Sequence, residues 1–340
     1  MAEGPAEADL LDLLIIGAGP AGIATAVEAR RAGIRRILLL EKGPGHSFSI
    51  EKLYTPGKRV DKVYLGQDVD CEGAVCIIDG TRETVLATMD EFVREYGLKI
   101  RSHTEVSRIT PLAAGGFEAV DAQGTSYRTR TVVIAIGVFG RPNKPDYPIP
   151  ASLKGHVRFD LTEPVPGGGR VLVVGGGNTA LEYVEYLYAG RSVTLAYRGA
   201  EFAKANEVNR RILQDLEAAG QATVWRNADI ASVRDAGEAP RVEAAFKDGR
   251  LARFDHVVYA LGGATPEGFL RQAGVELDGR HPRVDHRYHS TVPGLFLAGD
   301  LVAGGKGSIV KAFNTGRTVV WEGLCQDHLE CRIPAAEDLA

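Results

Sequence analysis

Long apolar runs are missing from this chain. None reaches the roughly 18 residues that a membrane-spanning helix needs, so no membrane span is expected. A strong charge of either sign is missing too. The formal net charge is −4, which leaves no broad basic field for nucleic acid or an anionic membrane, and no nucleic-acid partner is expected. The opening residues, MAEGPAEADL, are acidic ahead of the apolar stretch that follows. A secretory signal has the opposite charge and a cleavage site, so the chain reads as cytoplasmic. Cysteine is scarce: four in 340 residues do not make a disulfide framework. No metal site is expected. What is plentiful is Gly, at 41 residues, much of it clustered where backbone would approach phosphates. The length and the ordinary apolar and charged fractions suit two globular domains.

Residues 12–16 read as a short buried strand, followed by a Gly turn and the helical pattern AGIATAVEARRAG ending at Gly33. A second apolar run, Arg36 to Leu40, completes a β-α-β unit. Residues 43–80 are polar and irregular. TRETVLATMDEFVREYG (81–97) reads as a helix with a Thr cap and a terminal Gly. Several strands follow over 99–136, closing on TVVIAIG, and the Pro-rich run from Arg141 to Pro150 reads as an interdomain linker. A second β-α-β unit opens at RVLVVGGGNTALEYVEYLYAG, and its later strands end at HVVYALGG. After about residue 280 the pattern is a strand, a Gly-rich turn and a long helix. The two halves echo each other. The fold class expected is α/β, with two Rossmann-like dinucleotide-binding domains, the second inserted into the first. The boundaries expected are 1–140 and 281–340 for the first domain and 141–280 for the insert.

The first fingerprint is Gly17-Ala18-Gly19-Pro20-Ala21-Gly22, between strand and helix. The first Gly permits a tight turn, the second lets backbone approach a pyrophosphate, and the third lets the helix pack on the sheet. The helix N-terminus then faces the negative charge. Glu41, at the end of the next strand, is placed to accept hydrogen bonds from ribose hydroxyls. The second fingerprint is Gly175-Gly176-Gly177-Asn178-Thr179-Ala180. At its ribose position stands Arg198, with Lys204 a few residues on, where such folds accommodate a 2′-phosphate. That favours NADPH over NADH. A third element is Gly299-Asp300. The Asp is placed to bond a ribityl hydroxyl, and the helix start near Ser308 and Ile309 can aim backbone N–H at a flavin edge.

Together these pieces resemble the thioredoxin reductase-like pyridine nucleotide–flavin oxidoreductases, in the segments LLIIGAGPAGIATA, LLLEK, VVIAIGVFGRP, VLVVGGGNTALE, AYRGAEF, VVYALGG and VPGLFLAGD. The resemblance implies FAD held by the outer segments, a nicotinamide nucleotide held by the insert, hydride transfer between them, and a homodimer. It implies FAD contacts at Gly17, Gly19, Gly22, Glu41, Lys42, Gly137 and Asp300, and nucleotide contacts at Gly175, Gly177, Asn178, Thr179 and Arg198.

The chain departs from the family where thioredoxin reductases carry Cys-x-x-Cys just before the first strand of the nucleotide domain. HVRFDLTEPVPGGGRV has no cysteine there, which excludes thioredoxin reduction by that route. Gly199 replaces a second Arg usual for NADPH. The bacillithiol-disulfide reductase branch also lacks the pair but has a Cys where this chain has Ala21. The ferredoxin or flavodoxin reductase branch covers the flavin with a C-terminal aromatic, for which the tail past Trp321 offers only His328. Cys71 and Cys76, in DCEGAVCIID, are the remaining redox candidates. On a strand they would stand about 17 Å apart, beyond disulfide reach unless the chain turns at Gly73. They read as packing or surface residues, and Cys325 and Cys331 more so. The segment FSIEKLYTPGKRVDKVYLGQ is basic and aromatic (Lys52, Tyr54, Lys58, Arg59, Lys62, Tyr64). It reads as an acceptor-binding surface near the flavin or as a solvated loop. The function expected is an FAD-dependent NAD(P)H oxidoreductase with an unidentified acceptor. Alternatives are a disulfide reductase using Cys71 and Cys76, a ferredoxin or flavodoxin reductase, a flavin monooxygenase (against which the linker lacks Phe-x-Gly-x-x-x-His), and a flavin redox sensor without turnover.

Overall fold

A computed structural model of the chain describes residues 10–62, 69–138, 142–263, 265–304 and 307–332. Three positions read above, the acidic start, Tyr64 and Arg141, lie outside them. The first unit opens with β1 (Leu11–Ile16), α1 (Pro20–Arg31) and β2 (Ile37–Leu40). Pro20 at the first helical position, Arg30 and Arg31 in the last turn, and Gly33 at φ +81 bound the helix as the sequence implied. Next come α2 (Phe48–Leu53), the short strands β3 (Arg59–Val60) and β4 (Gly80–Thr81), and α3 (Arg82–Glu95). Thr81 and Thr84 form a capping box at the start of α3, and Gly97 follows its end at φ +55. Residues 43–80 are thus less irregular than expected. The short helix α2 escaped notice because six residues carry too little period.

Strands β5 (Ile100–Arg101), β6 (Val106–Pro111), β7 (Phe117–Asp121) and β8 (Ser126–Ile134) complete this half. The chain then crosses to a second unit. Its strands are β9 (Val157–Arg158), β10 (Arg170–Val174), β11 (Ser192–Ala196) and β12 (Ala222–Trp225), with α4 (Asn178–Leu187) and α5 (Glu207–Ala218) between them. A meander of β13 (Ile230–Asp235), β14 (Val242–Phe246) and β15 (Leu251–Phe254) precedes β16 (His256–Tyr259). The chain returns through α6 (Glu267–Gln272) and the hairpin β17 (Leu277–Asp278) with β18 (His281–Pro282) to β19 (Leu295–Leu297) and α7 (Ile309–Thr318).

The first sheet runs β5-β2-β1-β8-β7-β6, and β19 adds in parallel to β8. Side chains alternate across it. Leu13, Ile15, Leu39 and Val133 face α1, α3 and α7, whereas Leu14, Ile16, Leu40, Val132 and Ile134 face the other side. Each such fully buried aliphatic stabilises the fold by about 1.5–3 kcal/mol. Leu270, Ala273 and Val275 sit in the second of these clusters. The chain has therefore rejoined the first unit by α6, ahead of the boundary near 280 that composition suggested, because α6 covers the sheet's second face. The second sheet is parallel, β12-β11-β10-β16-β9. One face is covered by α4 and α5, the other by the meander. The two crossings run side by side: Pro142 pairs with Gly263, and the Asn143 side chain donates to the carbonyls of Leu261 and Gly263 at 3.1 and 3.0 Å.

All four cysteines are bonded, as Cys71–Cys76 and Cys325–Cys331, which corrects the reading of them as unpaired. The chain does turn at Gly73, bringing the first pair to a Cα separation of 5.6 Å. The turn is clamped by a buried carboxylate that sequence reasoning missed. Glu28 of α1 accepts from Ala74 N at 2.6 Å and from the Trp321 indole at 2.8 Å. Asn314 of α7 accepts from Glu72 N and donates to the Asp70 carbonyl.

Candidate functional site

In an open parallel sheet, ligands bind at the carboxyl ends of the strands, where the strand order reverses. In the first sheet that point is β1, with β2 on one side and β8 on the other. Ile16 pairs with Ile134, which pairs with Leu297. The loops that begin at Gly17, Ala135 and Ala298 therefore leave the sheet together. Gly17 has φ +100, and a Cβ on it would stand 2.6 Å from the Ala135 carbonyl oxygen. A Cβ on Gly22 would run into the Gly17 carbonyl. Gly19 faces open space: its missing side chain leaves room for a ligand, not for a neighbour. The first and third glycines thus build the turn, and the second builds the cradle.

Glu41 is buried and ties the cradle together. Its carboxylate accepts from Ala18 N at 2.9 Å and from Gly43 N at 2.7 Å. Each oxygen keeps a second lone pair for a hydroxyl. Lys42 beside it is exposed, and Gly137 (φ +61) has open space over its Cα. On the third strand, Gly299 has φ +74, packs against Ala21 of α1 and donates its N–H to Thr315 Oγ1 at 2.8 Å. Gly316 lets α7 cross α1 closely, since a Cβ there would lie 2.8 Å from Thr25 N. The starts of α1 and α7 are held side by side by these contacts. Ser308 caps α7 by accepting from Lys311 N at 3.2 Å, and Ile309 is its first residue. Asp300 is enclosed between the two, and burial alone pushes its carboxyl above the usual range. Among the described residues no donor reaches that carboxylate. Asp300 keeps part of its surface open, and an acceptor without a protein donor suits a hydroxyl brought by a ligand. The cradle, the ribose-facing carboxylate and this acceptor fit FAD.

The second site repeats the plan. Val174 pairs with Ala196 on one side and Tyr259 on the other, so the fingerprint again lies at the switch point. Gly175 approaches the Ala260 carbonyl too closely for a Cβ, while Gly177 faces open space. Asn178 is buried, with Oδ1 accepting from Asn206 N at 2.8 Å and from the Asn209 amide at 3.0 Å. Thr179 is partly buried, whereas Arg198 and Lys204 are exposed. The backbone of Lys204 bridges to that of Gly177, so the cation stands at the loop despite its distance in sequence. Gly199 also finds its reason. The Tyr197 ring lies against both Gly176 and Gly199 and stacks on Phe202 at 5.0 Å. A second Arg at 199 would put its Cβ 2.8 Å from that ring.

The described part of the basic segment after β2 is not a solvated loop: Phe48 at its start lies against Gly43, and its lysines are paired. Lys52 pairs with Asp160 at 3.6 Å and Lys58 with Glu182 at 2.9 Å. Through these pairs it touches the second unit. Gly73 of the Cys71–Cys76 turn lies against Arg317 and its neighbour Ala74 against Glu28. Both partners stand about 12 Å along their helices from the ends that face the cradle.

A family model described as pyridine nucleotide-disulphide oxidoreductase matches residues 14–299, a span holding both fingerprints and Gly299. The chain belongs to this family. Within this oxidoreductase family it is 26% identical over 328 residues to a ferredoxin–NADP reductase of Ignicoccus hospitalis, covering 91% of this chain and 99% of that one. It is 27% identical to ferredoxin–NADP reductase 2 of Christiangramia forsetii, covering 85% and 81%. Its fold is that of a bacillithiol disulfide reductase from Staphylococcus aureus (TM-score 0.80, 22% identity, 94% of this chain and 100% of that one). It is also that of the thioredoxin reductase of T. acidophilum (TM-score 0.76, 23% identity, 93% and 98%). As a pyridine nucleotide-disulphide oxidoreductase the chain is an FAD-dependent enzyme that oxidises a nicotinamide nucleotide. FAD supplies the electron chemistry; the chain binds it, orients it and holds the nucleotide.

Proposed function

We propose that hydride passes from NADPH to FAD and that the electrons leave the flavin directly for a small electron-transfer protein of the ferredoxin kind. One observation carries this reading. The Cys71–Cys76 turn is fastened to the bodies of α1 and α7 through Glu28 and Asn314, and Cys325 is bonded to Cys331. In this reading neither cysteine pair carries the electrons. The ferredoxin–NADP reductases named above match along nearly the same length. Arg198 and Lys204 at the second loop supply the cations for a 2′-phosphate, which supports NADPH over NADH. The fingerprint residues are the proposed contacts of FAD and NADPH. The proposal includes the homodimer that the resemblance implies.

The test is an anaerobic titration with NADPH, followed by reoxidation with ferredoxin, flavodoxin or bacillithiol disulfide. Flavin bleaching that consumes one hydride per FAD, equally in wild type and in Cys71→Ser/Cys76→Ser, with fast reoxidation by ferredoxin or flavodoxin, is expected. A disulfide reductase is the second reading, favoured by the bond between Cys71 and Cys76. A disulfide stores two further electrons, so a larger uptake in wild type than in the double variant would replace the first reading by the second.

A further inference from the structure

A line of polar contacts joins the flavin unit to the nucleotide loop. Lys58 lies between α2 and β3, and its backbone is held by α3, where Arg82 N donates to the Lys58 carbonyl at 2.8 Å. Its ammonium lies over the Tyr54 ring at 3.6 Å and pairs with Glu182 Oε2 of α4 at 2.9 Å. Lys58 and Glu182 side chains are only 15% and 16% exposed, unlike the looser Lys52–Asp160 pair at 40% and 26%. The other oxygen of Glu182 accepts from the Asn209 amide nitrogen at 3.1 Å, and the same nitrogen donates to Asn178 Oδ1 at 3.0 Å. Asn209 is 4% exposed.

The order of donors and acceptors along this line is forced. An ammonium only donates, and a carboxylate only accepts. Glu182, held by Lys58, therefore requires the NH2 end of Asn209 to face it. That NH2 then requires the oxygen of Asn178 to face Asn209, as does the Asn206 N–H. The NH2 of Asn178 is turned the other way. Asn178 is the first residue of α4, directly after Gly177, so this line of contacts fixes which way a fingerprint side chain is turned.

We infer that Lys58 of the flavin unit is a positioning residue for the nucleotide site, acting through Glu182 and Asn209 on Asn178. The nucleotide loop is then fully organised only while the two units are docked through Lys58. This rests on the proposal that the second unit binds NADPH.

The experiment compares Lys58→Met, Lys58→Arg, Asn209→Ala and the Lys58→Met/Asn209→Ala pair in the full-length holoprotein. Dissociation constants for NADP+ are measured by calorimetry, with FAD content and flavin reduction by dithionite as independent readouts. Lys58→Met is expected to weaken NADP+ by about 2- to 30-fold, the range for changes along coupled networks, and to raise KM more than it lowers kcat. FAD content stays at wild-type level, and Lys58→Arg restores most of the affinity. In the Asn209→Ala background, Lys58→Met adds nothing. Lys52→Met, which removes the neighbouring ion pair, leaves affinity unchanged. An unchanged constant in Lys58→Met, or the same loss with Asn209 already removed, overturns the inference. A wild-type protein that does not bind NADP+ at all overturns the functional proposal instead, so the two failures are told apart.

Discussion

At Gly19 and Gly177 no described atom lies within 4 Å of where a side chain would start, and that is the room the proposed nucleotides would fill. Gly22 and Gly175 owe their place to the fold, since neighbouring carbonyls occupy that space. The two kinds of glycine should fail differently. Gly19→Val is expected to give folded, colourless protein, measured as the ratio of flavin to protein absorbance beside an unchanged far-ultraviolet dichroism. Full FAD occupancy in that variant would remove the cradle assignment. Arg198 tests the second site at the same scale. Loss of a charge-assisted contact costs roughly 1.5–3 kcal/mol, or about ten- to a hundredfold. Arg198→Ala should raise KM for NADPH by that factor and leave KM for NADH nearly unchanged. An equal rise for both would make Arg198 a surface charge. Lys247 stands near enough to feel the Arg198 charge, but it is paired with Asp229 at 2.6 Å, which holds its ammonium above the usual range.

At the scale of elements, α1 and α7 are the pair on which the flavin site depends. Their close crossing at Gly316 and Thr25 sets their starts together at the cradle. Beside that crossing, Glu28 of α1 and Asn314 of α7 hold the 70–76 turn across both helices. This turn is a clamp on the helix pair, and its disulfide shortens it. Glu28→Leu would leave Ala74 N and Trp321 Nε1 without their acceptor, a loss of about 1–3 kcal/mol for each buried donor. The expected outcome is a lower melting temperature and faster hydrogen exchange over 70–76, with FAD still bound. Unchanged exchange in that segment would show that the carboxylate does not hold the turn.

Across the whole molecule, acid sensitivity is distributed over both units. His256 in the second unit, and His289 and His328 in the first, are each held below the ordinary 6.5, chiefly by burial. His289 Nε2 accepts from Gly294 N at 3.0 Å, an arrangement that protonation would break. The folded chain thus binds fewer protons than the unfolded chain once pH drops below about 7. Stability is complete above the unfolded value and is lost as pH falls through 6.5 toward the lower folded values. The melting temperature should fall between about pH 7.5 and pH 5. His328→Phe keeps the edge contacts with Phe296 and His289 and should flatten part of that fall. An identical slope in the variant would place the acid sensitivity elsewhere.

Both fingerprints, the Thr81 cap, Gly33 and Gly97 were legible in the chain, because each acts on neighbours a few residues away. So was the nested order of the two Rossmann-like units, which follows from alternating strand and helix periods and from a strand that returns late. The bonded state of the cysteines was not legible, since it depends on a turn that Glu28 and Asn314 clamp from distant helices. Nor was the role of Lys58, whose partner Glu182 lies on another unit, nor the return of the chain at α6, which a buried sheet face decides. Local sequence determines where backbone can turn, cap and approach a phosphate. Which polar groups meet across those turns is decided only when elements far apart in the sequence pack together.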